Sequence, residues 1–283
     1  MVSVGDAPEG IVYDARTGLV AVAVRDPDRL VLLDGQTLQI TAEIPLAGHA
    51  RHLQLVAPGG PVLVPEEDRN QLAVIALPTG SSPARTTLIR TGTSPHDATA
   101  VSGGYVTGNE FGRSITIARS GRAPQTVGGV EQPGGVIGLG DRVAVVDVKA
   151  YTLSTFAVDD GRRLALVDAG AGPTHGVRAA DGSLLVADTR GNAVLTFDSG
   201  SLALRGHLAL PGSPYGLAAD PDHPLVWVTL TGRNQVVGID VTGPRVVARL
   251  ATVAQPDSVA VAPGSHTIWI AGQRAGVVQK LTR

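Results

Sequence analysis

One short pattern recurs along this chain: a proline, any residue, a glycine, then an apolar run. A fixed repeat of this kind decides the fold before any single residue does. The pattern is clearest as Pro8-Glu9-Gly10-Ile11 and Pro214-Tyr215-Gly216-Leu217. Looser copies are Ala50-Arg51-His52-Leu53, Pro95-His96-Asp97-Ala98, Pro133-Gly134-Gly135-Val136, Thr174-His175-Gly176-Val177 and Pro256-Asp257-Ser258-Val259. The copies start at 8, 50, 95, 133, 174, 214 and 256, so the period is about 40 residues and there are seven units.

Within each unit the apolar residues alternate with period two, and no segment carries a helical stripe. The sixth unit shows this best. Gly216–Ala219, Leu225–Thr229, Gln235–Asp240 and Val246–Leu250 are separated by turns rich in Asp, Pro, Gly and Asn. Four short strands per 40 residues is the arithmetic of a propeller blade. The expected fold is therefore all-β: a seven-bladed β-propeller of four-stranded antiparallel blades, one domain over residues 1–283. The seventh unit supplies only three runs before the chain ends. Val2-Ser3-Val4, which matches Leu250-Ala251-Thr252 ahead of that unit, is expected to complete blade seven within residues 1–5. Such a clasp removes two open sheet edges.

Composition narrows the function. There is no cysteine, which excludes disulfides and thiolate metal sites. The net charge is −2 and no basic tract occurs, so no nucleic-acid partner is expected. No apolar run is long enough for a membrane helix, so no membrane span is expected either. HExxH, GxSxG and phosphate-loop motifs are absent, which argues against nucleotide-dependent chemistry.

The phrases Pro214-Tyr215-Gly216-Leu217-Ala218-Ala219-Asp220, Val226-Trp227-Val228-Thr229 and Val237-Gly238-Ile239-Asp240 resemble the bacterial YVTN-type β-propeller repeat. Tyr105-Val106-Thr107-Gly108-Asn109 nearly spells that name, with one inserted glycine. The resemblance implies the fold and, commonly, an extracytoplasmic binding or surface protein. Gly-His and Trp-Asp pairs at blade ends are missing, so the repeats do not resemble WD repeats. The chain is more distantly similar to streptogramin B lyases, seven-bladed propellers of about this length. Those enzymes carry catalytic histidines at the variable position of the Pro-Xaa-Gly pattern and need a divalent metal. Here His96 and His175 fall at that position, two blades apart; the Trp-Phe-Thr-Glu runs of that family are absent.

In a propeller the turn before strand one and the turn after strand two lie on one face, around the channel mouth. Ligand sites favour such concave mouths. Aligning the variable residues predicts a ring of Glu9, Arg51, His96, Gly134, His175, Tyr215 and Asp257, polar except at Gly134. The next position is glycine in four units but His52, Asp97 and Ser258 in the others. Those three are a serine, a histidine and an aspartate, yet no nucleophile turn surrounds Ser258. The turns after strand two add Arg25-Asp26, Glu66-Glu67-Asp68, Asn109-Glu110, Asp147-Val148-Lys149, Asp188-Thr189-Arg190, Thr231-Gly232-Arg233 and Gln273-Arg274. The acidic run 66–68 reads as a solvated loop within reach of Arg51. Glu110 shares a blade with His96, and Asp188 with His175, so each histidine has a candidate carboxylate partner. His49, His207, His223 and His266 read as structural.

The leading expectation is a binding or scaffold propeller whose mouth takes a small molecule or a protein or cell-envelope partner through Glu9, Arg51, His96, His175, Tyr215 and Asp257. The alternative is a channel-mouth enzyme, a metal-assisted lyase or a hydrolase of lactones or other cyclic esters. There His96 and His175 act as base or metal ligand, and Glu110 and Asp188 share a divalent metal with them. On that reading, loss of either histidine stops turnover and leaves the melting temperature nearly unchanged. A monomer is expected. The abrupt start at Met1, taken with the YVTN-type resemblance, points to an extracytoplasmic mature domain without its export segment rather than a cytoplasmic protein.

Overall fold

A computed structural model describes every residue from Met1 to Arg283. Its strands form seven antiparallel four-stranded sheets. Blade four is representative: Pro133–Gly138, Arg142–Asp147, Thr152–Ala157 and Arg163–Asp168 follow one another outward. The first strand of each blade faces the axis. First strands touch from blade three round to blade seven, then to blades one and two. Blade two meets blade three through its second strand, Val62–Glu66, because its first strand is only Gln54–Leu55. The fourth strands lie outermost and alternate exposed with half-buried residues, as in Arg163–Asp168.

The ring closes with the first residues of the chain. Val2–Ser3 forms the outer strand of the sheet otherwise made of Pro256–Val261, Thr267–Gly272 and Val277–Thr282. Val2 stands opposite Val278, Ser3 opposite Val277, and the Val4 amide donates to Gly276 O at 3.0 Å. Val4 itself is buried in the layer between blades seven and one. The all-β propeller, its seven blades and its closure are as the repeat predicts.

The hydrophobic core is divided among seven apolar layers, each wedged between two neighbouring blades. The layer between blades four and five, for example, joins Ile137, Val146 and Leu153 to Leu184, Leu195 and Phe197. The thinnest lies between blades two and three, where only Leu63, Leu72 and Ala98 are fully enclosed. At the seam between blades seven and one, Trp269 stacks on Tyr13 with ring centroids 4.2 Å apart. Its indole N–H donates to Gly35 O at 3.1 Å.

Blades are also tied through turns. Asn70, Asn192 and Asn234 end the turn before the third strand in left-handed conformation, at φ +53°, +53° and +52°. Asparagine tolerates that region because its short side chain bonds locally. Each side-chain oxygen accepts an amide from the turn that opens the next blade: Ser94, Gly212 with Ser213, and Gln255.

The ladder corrects one register. Pro173 stands opposite Asp188, as Pro95 does opposite Asn109 and Pro133 opposite Asp147. Blade five therefore starts at 173, not 174. Thr174 occupies the variable position, and His175 takes the place that Gly10, Gly135 and Gly216 hold in other blades. Gly176, one residue further on, imitates the glycine of the repeat in sequence only.

Trp269→Ala is expected to cost about 3–5 kcal/mol in urea denaturation, as large core truncations do. Loss of the Tyr13 stack and the Gly35 bond should loosen the closing seam. Leu88→Ala, at a 56% exposed side chain, is expected to cost under about 0.5 kcal/mol.

Candidate functional site at the channel mouth

Five blades, three to seven, open with an irregularity in the ladder just after the proline, between Pro95 and Asp97 in blade three and likewise in blades four to seven. Such bulges re-aim side chains. Here they lie at the mouth, where the two residues after each proline stand. Gly10 and Gly216 permit close packing there: a Cβ would come within 2.7 Å of Arg51 O and 2.4 Å of Asp257 O, in the adjoining blade. Where the second position is not glycine, its side chain lines a channel cavity of about 230 Å³, as His52, Asp97, His175 and Ser258 all do.

Three imidazoles converge at this point. His52 packs against His175 with centroids 4.1 Å apart and against His96 at 4.8 Å; His96 and His175 are 5.9 Å apart. Tyr215 meets His175 edge-on at 4.5 Å. His96 is held from behind by two carboxylates. Its Nδ1 donates to Glu67 Oε1 at 2.6 Å and lies 3.1 Å from Glu110 Oε2. Glu110 Oε1 in turn accepts from Gln132 Nε2 at 2.7 Å. By contrast, His52 Nε2 and both nitrogens of His175 are buried with no hydrogen-bond partner.

The environment splits the titrations. Burial opposes a charge on His96, but Glu110 and Glu67 outweigh it and hold its pKa up at about 9. Burial likewise opposes ionisation of Glu110 and Glu67; the His96 cation overcomes it, bringing Glu110 down to about 2 and Glu67 below its usual range. His175 goes the other way: burial, then the charges of His96 and Arg51, push it down to about 3. Burial together with His175, His96 and Arg51 also lowers His52. Asp257 is raised to about 7 by burial and the Glu9 charge, and burial lifts Tyr215. The mouth thus combines a charged clamp with neutral imidazoles and a carboxyl that keeps its proton into the neutral range.

Several residues have duties that differ from expectation. Asp188 does not partner His175. Its carboxylate accepts the amides of Ala171, Gly172 and Gly191, stapling a turn, and it belongs to neither cluster of side chains close enough to share an ion. Arg51 does not reach the acidic run in its own blade: its Nε binds Glu9 Oε2 at 3.1 Å. Glu9 also receives Arg25 and Gln273, so this buried carboxylate is saturated by blades one, two and seven. The run 66–68 is not a solvated loop: Glu66 accepts the Ala47 amide and Glu67 clamps His96. Ser258, His52 and Asp97 form no triad. The Ser258 hydroxyl donates to Glu9 O, and Asp97 accepts the amides of Ala98 and Val136. The space that Gly134 leaves in the ring is taken by Val148, whose Cγ2 would sit 2.5 Å from a Cβ there. His49, read as structural, binds Glu67 Oε2 at 3.1 Å and extends the network.

Two groups could hold an ion. One nitrogen each from His52, His96 and His175 lie within 4.8 Å of one another, as do atoms of Glu67, His96 and Glu110. His52 was visible in sequence only as a departure from glycine in the second position, and Glu67 only as one of three acidic residues in a turn.

No family model and no curated protein matches the sequence. Solved structures do resemble the fold. A chain of Kuenenia stuttgartiensis hydrazine synthase superposes with a TM-score of 0.81 at 15% identity, covering 98% of this chain and 96% of that one. A streptogramin B lyase gives 0.81 at 15% identity over 99% and 94%. Virginiamycin B lyase from Staphylococcus aureus gives 0.81 at 16% over 98% and 95%, and its catalytically inactive variant has been solved with quinupristin. At these identities the likeness is one of fold.

His96→Ala is expected to destabilise the protein by about 3–5 kcal/mol in urea denaturation, because it strands two buried carboxylates. His175→Ala should be neutral or stabilising in the same assay, since it removes a buried group with no partner. Unequal costs for the two histidines would depart from the expectation that neither substitution moves the melting temperature. Asp257 holds its proton more tightly folded than unfolded, so its contribution is present below about 3.8 and lost as pH rises through about 7. Asp257→Asn should flatten the fall in melting temperature over that window; an unchanged slope would show that Asp257 ionises freely.

Proposed function

We propose that the protein is a binding propeller whose channel mouth takes a small polar ligand. One observation carries this reading: His52 and His175 meet ring to ring at the axis and together present three buried nitrogens with nothing to bond. Buried polar atoms are satisfied in nearly all native structures, so two unpartnered imidazoles side by side at a channel mouth favour an outside group there. Around them stand complementary partners: Asp257, whose carboxyl keeps a proton up to about pH 7, Tyr215 beside His175, and the partly exposed Arg51 guanidinium. Glu9 serves this reading by fixing Arg51, and Glu110 by fixing His96. On the same face, Phe111 follows Glu110 and is 67% exposed, and the Arg190 guanidinium lies 4.7 Å over the Tyr151 ring. These exposed aromatics suit an organic ligand or partner larger than the cavity. No helix is long and apolar enough to cross a membrane. The extracytoplasmic setting belongs to this proposal on the strength of the repeat resemblance.

A second reading, the metal-assisted lyase or cyclic-ester hydrolase, is favoured by two features: the juxtaposed histidines and the likeness of fold to the two lyases. It would use His96 and His175 as metal ligands, His96 through Nε2 after loss of that proton, and an ion held there would supply the activation that His175, with its pKa of about 3, is too weak a base to give alone.

A panel of lactones and cyclic depsipeptides, quinupristin included, separates these readings. The binding reading expects at least one compound to raise the melting temperature saturably without being consumed. The shift should fall at least about tenfold in affinity on Arg51→Ala or Tyr215→Phe, the loss of one buried hydrogen bond to a charged or polar ligand group. Turnover that His175→Ala abolishes would establish the enzymatic reading instead. A panel that neither binds nor reacts, with no small polar compound bound in a wider screen, would contradict both.

A further inference from the structure

The side chains at the axis go beyond general polarity. We infer that His52, His96 and His175 form a three-histidine site for a single transition-metal ion of the zinc type. The inference rests on the mouth being a binding site and specifies what it binds first.

Four observations support it. First, the three side chains come from blades two, three and five, yet offer nitrogens within 4.8 Å of one another. Three nitrogens bound at 2.0–2.1 Å to a tetrahedral ion stand roughly 3.3 Å apart, so small side-chain rotations complete the set. Second, the candidate donor atoms have no partner in the protein. His52 Nε2 and both His175 nitrogens are buried and unpartnered, and with His96 Nδ1 held by Glu67, its Nε2 is the nitrogen left. Third, Glu67 and Glu110 stand behind His96 as carboxylates commonly stand behind a metal-bound histidine, fixing ring orientation and tautomer. Fourth, those two carboxylates supply negative charge beside the site, which offsets the charge of an ion that displaces the Nε2 proton of His96 and is then held by three neutral imidazoles. An all-imidazole donor set suits zinc, copper, iron or nickel; magnesium and calcium favour oxygen.

The ligand set differs from the one expected in sequence. Asp188 is absent from it, Glu110 moves behind His96, and His52 enters. Three protein ligands leave at least one coordination position for a water or a ligand atom, which distinguishes such a site from a closed structural one. Two of the ligands, His52 and His175, also line the 230 Å³ channel cavity.

The test uses the full chain stripped of metal by a chelator and titrated calorimetrically with zinc, with magnesium and calcium as controls. Cobalt serves as the visible reporter. The expected result is one zinc per chain at micromolar affinity or tighter, no heat with magnesium or calcium, and the visible bands of four-coordinate cobalt. His52→Ala should abolish zinc binding at the concentrations used, while circular dichroism and melting temperature match the wild type. His175→Ala provides a second ligand variant with little expected cost to folding. Glu67→Gln should weaken zinc by about 10-fold, as loss of an outer hydrogen bond to a ligand does. Zinc binding unaltered in both His52→Ala and His175→Ala, or binding of magnesium in preference to zinc, would overturn the inference. Absence of zinc binding in a protein that still binds an organic ligand at the mouth would overturn the metal site and leave the binding reading intact.

Discussion

Everything at the mouth depends on closure of the ring. Seven blades share no common core; each is held by apolar layers against its two neighbours. The last of these layers, between blades seven and one, joins the two ends of the chain. Pairing of Val2–Ser3 with Val277–Thr282, burial of Val4, and the Tyr13–Trp269 stack together fix where blade one stands relative to blade seven. Once that angle is fixed, residues more than 100 positions apart, such as His52 and His175, are brought to one axis. An open arc of the same blades would have no axis and no such meeting.

Closure creates a crowded centre, and the chain resolves the crowding in two ways. Toward blades one, two and seven, charges satisfy one another: Glu9 gathers Arg25, Arg51 and Gln273. Toward blade three, Glu67 and Glu110 confine a charged His96. Between the two networks, His52 and His175 are kept neutral by burial and the neighbouring cations, without partners. That contrast separates groups that hold the rim together from groups that no side chain of the rim binds.

The architecture was legible because its signal is redundant. Seven copies of one turn outweigh degeneracy in any one of them, and even the missing fourth strand of blade seven could be found by matching Val2-Ser3-Val4 to Leu250-Ala251-Thr252. The site was legible in part. Glu9, Arg51, His96, Tyr215 and Asp257 were assigned to the mouth by position, and they are there. Partners were not legible, because pairing across the ring depends on which neighbour a side chain leans toward. Arg51 turned to Glu9 in blade one rather than to its own blade. Asp188 lay in a turn with three amide donors closer at hand than His175. A one-residue slip in blade five hid the equivalence of His175 with His52, and with it the third imidazole. The period fixes which turns meet; the ladder irregularities after the prolines decide which side chain faces the axis, and no spacing reports those.

The most direct measurement is anomalous diffraction at the zinc edge from crystals of the protein grown with zinc. One strong peak is expected at the channel mouth, within bonding distance of nitrogens from His52, His96 and His175, with Glu67 and Glu110 behind His96. A peak on the carboxylate side of His96, or an empty mouth in crystals that take up zinc elsewhere, would contradict it.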